Sequence, residues 1–299
     1  MTGGVFEGKD WNPTPGRLSD VMKVIRELNP DVLGLQETLS FQKRKKVKSC
    51  VISELRKIYP HEVIFDDDID EEPFKTWGTG CALFSKIKPY NPPGVNGKVM
   101  GVIIKGKTRA VEMKFGDVSI SCVYLSHENE YTRREQIEPV LAELDDDTCS
   151  HRIIMGDFNA ISPKDINTFA LDELGKLRDN PKTDEKYFKR ITKKRNQTII
   201  TYEDSPITDT IEAVYKEKYV DAALKYYTRK GLDKKGLRDK TAHCEKDSVA
   251  IRMDYFFVTE NILPSIYCCD LRKDDFVQKA SDHFPWELIL DDSLFNQVK

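Results

Sequence analysis

No stretch of this 299-residue chain approaches the ~20 consecutive apolar residues that a membrane-spanning helix requires. The first fifteen residues hold glycine, proline and charge rather than an apolar stretch, so no secretory signal is read there. The seven cysteines are odd in number and scattered, apart from Cys268-Cys269, and no Cys-x-x-Cys pair occurs. That argues against a structural zinc site and for reduced thiols in a cytoplasmic protein. The glycine turn at Trp77-Gly78-Thr79-Gly80 lacks the Gly-Lys-Ser/Thr ending of a phosphate-cradling P-loop and reads as a tight turn into a strand. The acidic stretch Asp66 to Glu72 lacks the central glycine and the spacing of a calcium loop. Internal repeats and Pro- or Ser-rich linkers are also missing, so a single domain over 1–299 is expected. A formal charge of −3 argues against a nonspecific DNA coat protein but permits a local basic groove.

What is present alternates between helical and strand periodicity. Leu18, Val21, Met22, Ile25 and Leu28 recur at helical spacing, and Asn29-Pro30 ends that pattern. The apolar run Val32 to Gln36 follows as a strand, which is the α/β pattern. Val51, Ile52, Leu55 and Ile58 give a second amphipathic helix. Val99 to Ile104, Ala110 to Lys114 and Val118 to Leu125 read as successive strands without a helix between them, so part of the sheet is expected to be antiparallel. Ile137, Val140, Leu141 and Leu144 mark another helix, with Pro139 placed near its first turn. Between about 162 and 245 the chain is mostly polar, with helices expected at Thr168 to Leu177 and Ile211 to Leu224.

The stretch Ile153-Ile154-Met155-Gly156-Asp157-Phe158-Asn159 is a short apolar run cut off by glycine, the pattern of a buried strand running into a turn. Gly156 allows a turn where a side chain would clash. Asp157 and Asn159, two residues apart, project to one side in extended backbone and could bind water, metal or phosphate. A bare turn would show the same residue types. Three further acids stand beside apolar runs: Glu37 after Val32 to Gln36, Asp254 before Tyr255 to Val258, and Asp282 with His283 ahead of Trp286 to Leu290. A carboxylate buried at such a place needs a cation or hydrogen-bond partners.

In this order, these pieces resemble the endonuclease/exonuclease/phosphatase superfamily, the metal-dependent phosphoesterases related to exonuclease III and DNase I. The likeness spans roughly Gly3 to Leu290. It implies an α/β fold, a four-layer α/β sandwich of two packed mixed β-sheets flanked by helices. It also implies that Glu37, with Asp282 nearby, holds Mg2+ or Mn2+, hard cations that prefer oxygen ligands. Asp157 would orient or deprotonate the attacking water, and Asn159 would donate to phosphate or water. His283, its tautomer set by Asp254, would contact the phosphate. Tyr124 falls where the family places an active-site His or Tyr, with Arg133 and Gln136 continuing the motif and His127 a secondary candidate. Whether Asp157 or His283 is the base stays open. The family's first strand, ending in an Asn ahead of the Gly-rich segment, is not read here, and Asn12 lies too far into the loop to replace it.

The function expected is hydrolysis of phosphodiester bonds, with nucleic acid as substrate. The basic stretch from Lys186 to Arg195, interleaved with Tyr187 and Phe188, suits phosphates and bases, although an exposed insertion with solvating charge is the reading favoured there, since Asp184, Glu185 and Asp233 offset the charge. The short basic run Lys43 to Lys48 adds little. A hydrolase of a smaller phosphoester (a lipid headgroup or inositol phosphate) and a catalytically impaired binding module are the alternatives. No oligomeric state follows.

Overall fold

The computed structural model describes residues 6–7, 12–13, 15–38, 48–65, 80–91, 94, 98–105, 108–144, 149–194, 197–233, 237, 249–273, 277, 280–281 and 283–295. A six-stranded mixed sheet forms its centre, in the spatial order Tyr219–Asp221, Asp254–Thr259, His151–Asp157, Val118–Tyr124, Thr108–Phe115, Met100–Lys105. In chain order these are β6 (Met100–Lys105), β7 (Thr108–Phe115), β8 (Val118–Tyr124), β9 (His151–Asp157), β12 (Tyr219–Asp221) and β13 (Asp254–Thr259). All neighbours are antiparallel except β8 and β9, whose parallel pairing needs a crossover. The helix Glu130–Leu144 supplies it. Facing this sheet are β3 (Val32–Gln36), β5 (Cys81–Ser85) and β4 (His61–Phe65), in the order β3-β5-β4, and the pair β14 (Ile266–Leu271) and β15 (Trp286–Leu290). The short pair β1 (Phe6–Glu7) and β2 (Asn12–Pro13) stands apart, and the hairpin of β10 (Lys189–Lys194) and β11 (Gln197–Tyr202) belongs to the 162–245 segment.

The period of two decides how the layers stack. Every residue of Cys81-Ala82-Leu83-Phe84-Ser85 is buried. Cys81 and Leu83 turn toward the large sheet, packing with Val111, Met113, Cys122, Ile153 and Met155. Ala82 and Phe84 turn the other way, onto Val21, Ile25 and Leu55 of α1 (Pro15–Leu28) and α2 (Lys48–Arg56). On the far side of the large sheet, Ala110, Val123, Ile154, Tyr255 and Phe257 meet Ile137, Val140 and Leu144 of α3 (Glu130–Leu144) and Ile211 and Val214 of α7 (Asp209–Lys216). Helix, sheet, sheet, helix is the four-layer sandwich expected from the resemblance.

Several local expectations are corrected. Helix α3 begins at Glu130, with Asn129 Oδ1 accepting the Thr132 N–H at 2.9 Å, so Pro139 lies in the helix interior rather than in its first turn. The single helix expected over Ile211 to Leu224 is two: α7 and α8 (Ala222–Lys230), separated by strand β12. Lys218, at φ +63°, turns the chain between them, and Asp221 caps α8 by accepting from Leu224 N at 2.9 Å. The helix expected from Thr168 starts at Leu171 (α5, Leu171–Asp179). The segment after residue 162 is more than a solvated insertion. The short helix α4 (Pro163–Ile166), α5 and α6 (Pro181–Tyr187) enclose Phe169, Leu177, Tyr187 and Phe188, which pack with Ile251 and Met253 just ahead of β13. The acidic stretch 66–72, Trp77-Gly78-Thr79 and Lys43 to Lys46 lie outside the described residues, as do the side chains of Asn12 and Lys48.

Arg252 ties this segment to the sheet. Its fully buried guanidinium donates to both oxygens of Asp165, at 2.9 and 3.0 Å, and to Asp221 at 2.6 Å. The fork geometry of arginine suits two carboxylates at once. Arg252→Met leaves both acids buried without their cation, so a loss of about 3–5 kcal/mol in urea-unfolding stability is expected. A loss below ~1 kcal/mol would mean that the two acids find other partners.

Candidate active site

Register sets the first row of the site. Asp157 ends β9, Tyr124 lies opposite it on β8, and Asp254 lies opposite it on β13. By the same alternation that sends Ile153, Met155 and Val258 between the sheets, all three side chains point into the rim of the sandwich. The facing sheet supplies the second row. Glu37 follows the last residue of β3, and Tyr124 Oη donates to Glu37 Oε1 at 3.0 Å. His283 lies shortly before β15, its Nδ1 2.8 Å from Asp254 Oδ2 and its backbone N–H donating to Ser281 Oγ at 3.1 Å. Glu37, Tyr124, Asp157, Asp254 and His283 thus come together at one end of the sandwich. Asp282 lies outside the described residues.

The backbone at the rim is held in uncommon conformations. Glu37 and Asn159 have φ of +56° and +50°, a region that non-glycine residues seldom occupy and that concentrates at functional sites. Gly156 has φ +138°, and a Cβ there would lie 2.0 Å from the carbonyl oxygen of Val123. This is the close approach for which its sequence position called for glycine.

Asp157 is 2% exposed and Asp254 9%. Burial, and then the charge of Asp254, push the Asp157 carboxyl up to about 7, while His283, Lys186 and the Asn159 amide pull it back. Each Asp157 oxygen accepts one hydrogen bond from Asn159: Oδ1 from the backbone N–H at 2.7 Å, Oδ2 from Nδ2 at 3.0 Å. The Asn159 amide also donates to Leu125 O at 3.0 Å. The carboxamide assigned from sequence to phosphate or water is therefore spent on orienting Asp157.

Oxygen and nitrogen atoms of Asp157, Asp254 and His283 lie within 4.8 Å of one another, close enough to share a cation. Two buried carboxylates with one imidazole form a donor set that a hard divalent ion fits. Glu37 joins the row through Tyr124.

The sequence reading missed the lysine that completes the site. Lys186, at the end of α6, places Nζ 2.7 Å from Asn159 Oδ1 and 3.5 Å from Met253 Sδ. Burial, with the charge of Arg133, lowers its ammonium to about 7, against the pull of Asp157 and Asp254. Arg133, fully buried, holds the backbone of that residue by donating to Lys186 O at 2.6 Å. Gln136 accepts from Ser126 N at 2.7 Å, so the two residues that continued the Tyr124 motif shape the loop rather than the reaction centre. His127 lies outside the buried trio, and partial burial of its ring, then the charge of Lys186, hold it below the usual histidine value. The signal for Lys186 was present as a Lys-Tyr-Phe step in a basic run, but nothing in that run distinguishes it from the other lysines.

The sequence profile described as the endonuclease/exonuclease/phosphatase family matches residues 6–283. No curated protein matches the chain. Among solved structures it is similar to an AP endonuclease from Archaeoglobus fulgidus, at 16% identity and TM-score 0.60, covering 92% of this chain and 94% of that one. It is also similar to the 3′ phosphatase NExo (D146N) from Neisseria bound to product DNA hairpin, at 16% identity and TM-score 0.59, covering 93% and 95%.

Proposed function

Because the chain belongs to the endonuclease/exonuclease/phosphatase family, we propose that its rim cluster is the active site of a divalent-metal-dependent phosphodiesterase acting on nucleic acid. The observation that carries this reading is the alignment of Tyr124, Asp157 and Asp254 on three adjacent strands, opposite Glu37 and His283. Glu37, with Asp282, would hold the cation, which supplies charge for the phosphate oxygens and the leaving group. Asp157 takes the proton of a water that attacks phosphorus in line with the ester oxygen that leaves. A carboxyl poised near 7 serves as a base near neutral pH. His283 faces a phosphate oxygen from the nitrogen that Asp254 does not engage, and Tyr124 steadies Glu37.

Nucleic acid as substrate draws support from the β10–β11 hairpin, which carries Lys189, Lys193 and Lys194, with Lys193 4.5 Å over the Tyr131 ring. Arg190 is spent on Glu203 and Asp209. The two similar structures point the same way, one being named an AP endonuclease and the other holding a DNA hairpin. Among the described residues no helix is long and apolar enough to cross a membrane. Among the described residues Cys81, Cys122, Cys149 and Cys269 are buried thiols, which supports a reducing compartment such as the cytoplasm.

Chelation with EDTA should abolish turnover of a phosphodiester, and Mg2+ or Mn2+ should restore it. Glu37→Gln keeps the size of the side chain and its bond to Tyr124 but removes the charge. It should weaken Mn2+ binding, followed by electron paramagnetic resonance, about tenfold or more. The close trio of Asp157, Asp254 and His283 supports a second placement of the cation, between those residues. In that case Asp254→Asn, rather than Glu37→Gln, would carry the loss of Mn2+ affinity. Turnover undiminished in EDTA would end the metal-dependent reading.

A further inference from the structure

We propose that Lys186 is the side chain that brings a positive charge to the substrate's phosphate group, delivered to the site by the 162–245 segment; the assignment builds on the phosphodiesterase reading above. Asn159 is the polar residue that the sequence offers for this contact, but both of its amide hydrogens are taken, by Leu125 O and Asp157 Oδ2. Its carbonyl oxygen receives Lys186 Nζ at 2.7 Å. An ammonium carries three N–H donors. Asn159 uses one, and the Met253 sulfur, 3.5 Å away, is a weak acceptor. Among the described contacts that leaves donor capacity beside Asp157, on the side chain that is partly exposed at the rim.

The placement is built rather than incidental. Helix α6 is capped by Asn180, which accepts from Lys182 N at 3.1 Å. Its far end is pinned by Arg133 on Lys186 O. The next residue, Tyr187, is buried and donates to Met253 Sδ at 2.9 Å, fixing α6 to the residue before Asp254. An exposed lysine spends rotamer entropy to meet an anion, whereas this one is already held. A phosphate entering the rim meets Asp157 and Asp254, and an ammonium held on Asn159, which itself donates to Asp157, offsets that repulsion. A charge-assisted bond to a non-bridging oxygen strengthens as negative charge builds during attack, so it should act on turnover as well as on binding.

The rival role is purely positional, with Lys186 satisfying the Asn159 carbonyl. The two are separated by charge. Lys186→Gln can still donate to Asn159 but has no charge, Lys186→Met has neither property, and Lys186→Arg restores the charge. The assays are Mg2+-dependent hydrolysis of bis(4-nitrophenyl) phosphate, binding of inorganic phosphate by calorimetry, and thermal melting. Lys186→Met and Lys186→Gln should both lower kcat/KM by about 10²-fold and weaken phosphate binding at least tenfold, with Lys186→Arg recovering most of each. If Lys186→Met does not fold, the Gln and Arg variants carry the comparison.

A Gln variant that matches the wild type in both assays overturns the proposal and leaves a positioning residue. Wild-type protein that binds phosphate through Lys186 yet hydrolyses no phosphodiester would sink the functional reading while sustaining this one. Wild-type protein that hydrolyses normally, with the Met variant unimpaired, does the reverse. Failure to bind phosphate at all overturns the lysine assignment.

Discussion

His283→Ala and Asp254→Asn should each lower phosphodiester turnover by ~10²–10³-fold, and the double variant should be little worse than His283→Ala alone. The two residues form one device. Asp254 Oδ2 lies 2.8 Å from Nδ1 of His283, and the pair is buried on the rim. A carboxylate on Nδ1 fixes the tautomer and orientation of the ring, so Asp254 acts through the ring it orients. An imidazole that meets a phosphate oxygen matters most where charge is building, so turnover should fall more than binding weakens. Steady-state kinetics on both single variants and the double, at saturating Mg2+, decide the matter. Fully multiplicative losses would move Asp254 from the histidine to the cation, the arrangement that the close packing of Asp157, Asp254 and His283 also permits. Asp254→Asn has a second signature. It removes the charge that raises the Asp157 carboxyl, so the acidic limb of the pH profile should move to lower pH.

The pieces of the sandwich were legible because their causes are local, although its four layers were expected only from the family resemblance. The apolar runs Val32 to Gln36 and Ile153 to Met155, and helical spacing from Leu18 to Leu28, each follow from burial of the element against a neighbour. The acids at strand ends were legible for a related reason. A carboxylate abutting an apolar run is costly unless something meets it, and Asp157 and Asp254 do meet, through registers that pair β9 with β13. What sequence could not show is long-range pairing. Nothing near residue 186 says that its ammonium ends beside Asn159, 27 positions away in sequence. Nor does the apolar pattern of 211–224 reveal the turn at Lys218 that breaks one expected helix into helix, strand and helix. Strands β4 and β14 escaped notice because neither His61–Phe65 nor Ile266–Leu271 alternates cleanly. The use of Asn159 as a support for Asp157 depends on a φ of +50°, which sequence alone does not fix.

Asp157→Asn should abolish most turnover and yet, relative to the wild type, stabilise the chelator-treated protein as the pH rises. The first effect follows from its place beside the reacting water: an amide cannot accept that proton, so a loss of at least ~10²-fold is expected. The second follows from linkage. In the unfolded chain this carboxyl titrates at the ordinary value of 3.8, and in the folded protein burial and Asp254 raise it to about 7. Between those values the folded state keeps a proton that the unfolded state has released. Stability from this group is therefore complete below about 4 and is lost as the pH climbs through 7, by about 1.4 kcal/mol per pH unit within the window. Asparagine mimics the protonated form at every pH and has no such slope. It does place an NH2 group against one of the two Asn159 donors, a cost of about 1 kcal/mol that is independent of pH. The test is consequently the slope rather than the offset. Urea unfolding of both proteins at pH 5, 6, 7 and 8, in EDTA, should show the variant gaining on the wild type at each step up to pH 7 and levelling off above it. A difference that stays flat across that range would mean that Asp157 is already ionised in the folded protein at pH 5. It would then not be the carboxyl that takes the water's proton near neutrality.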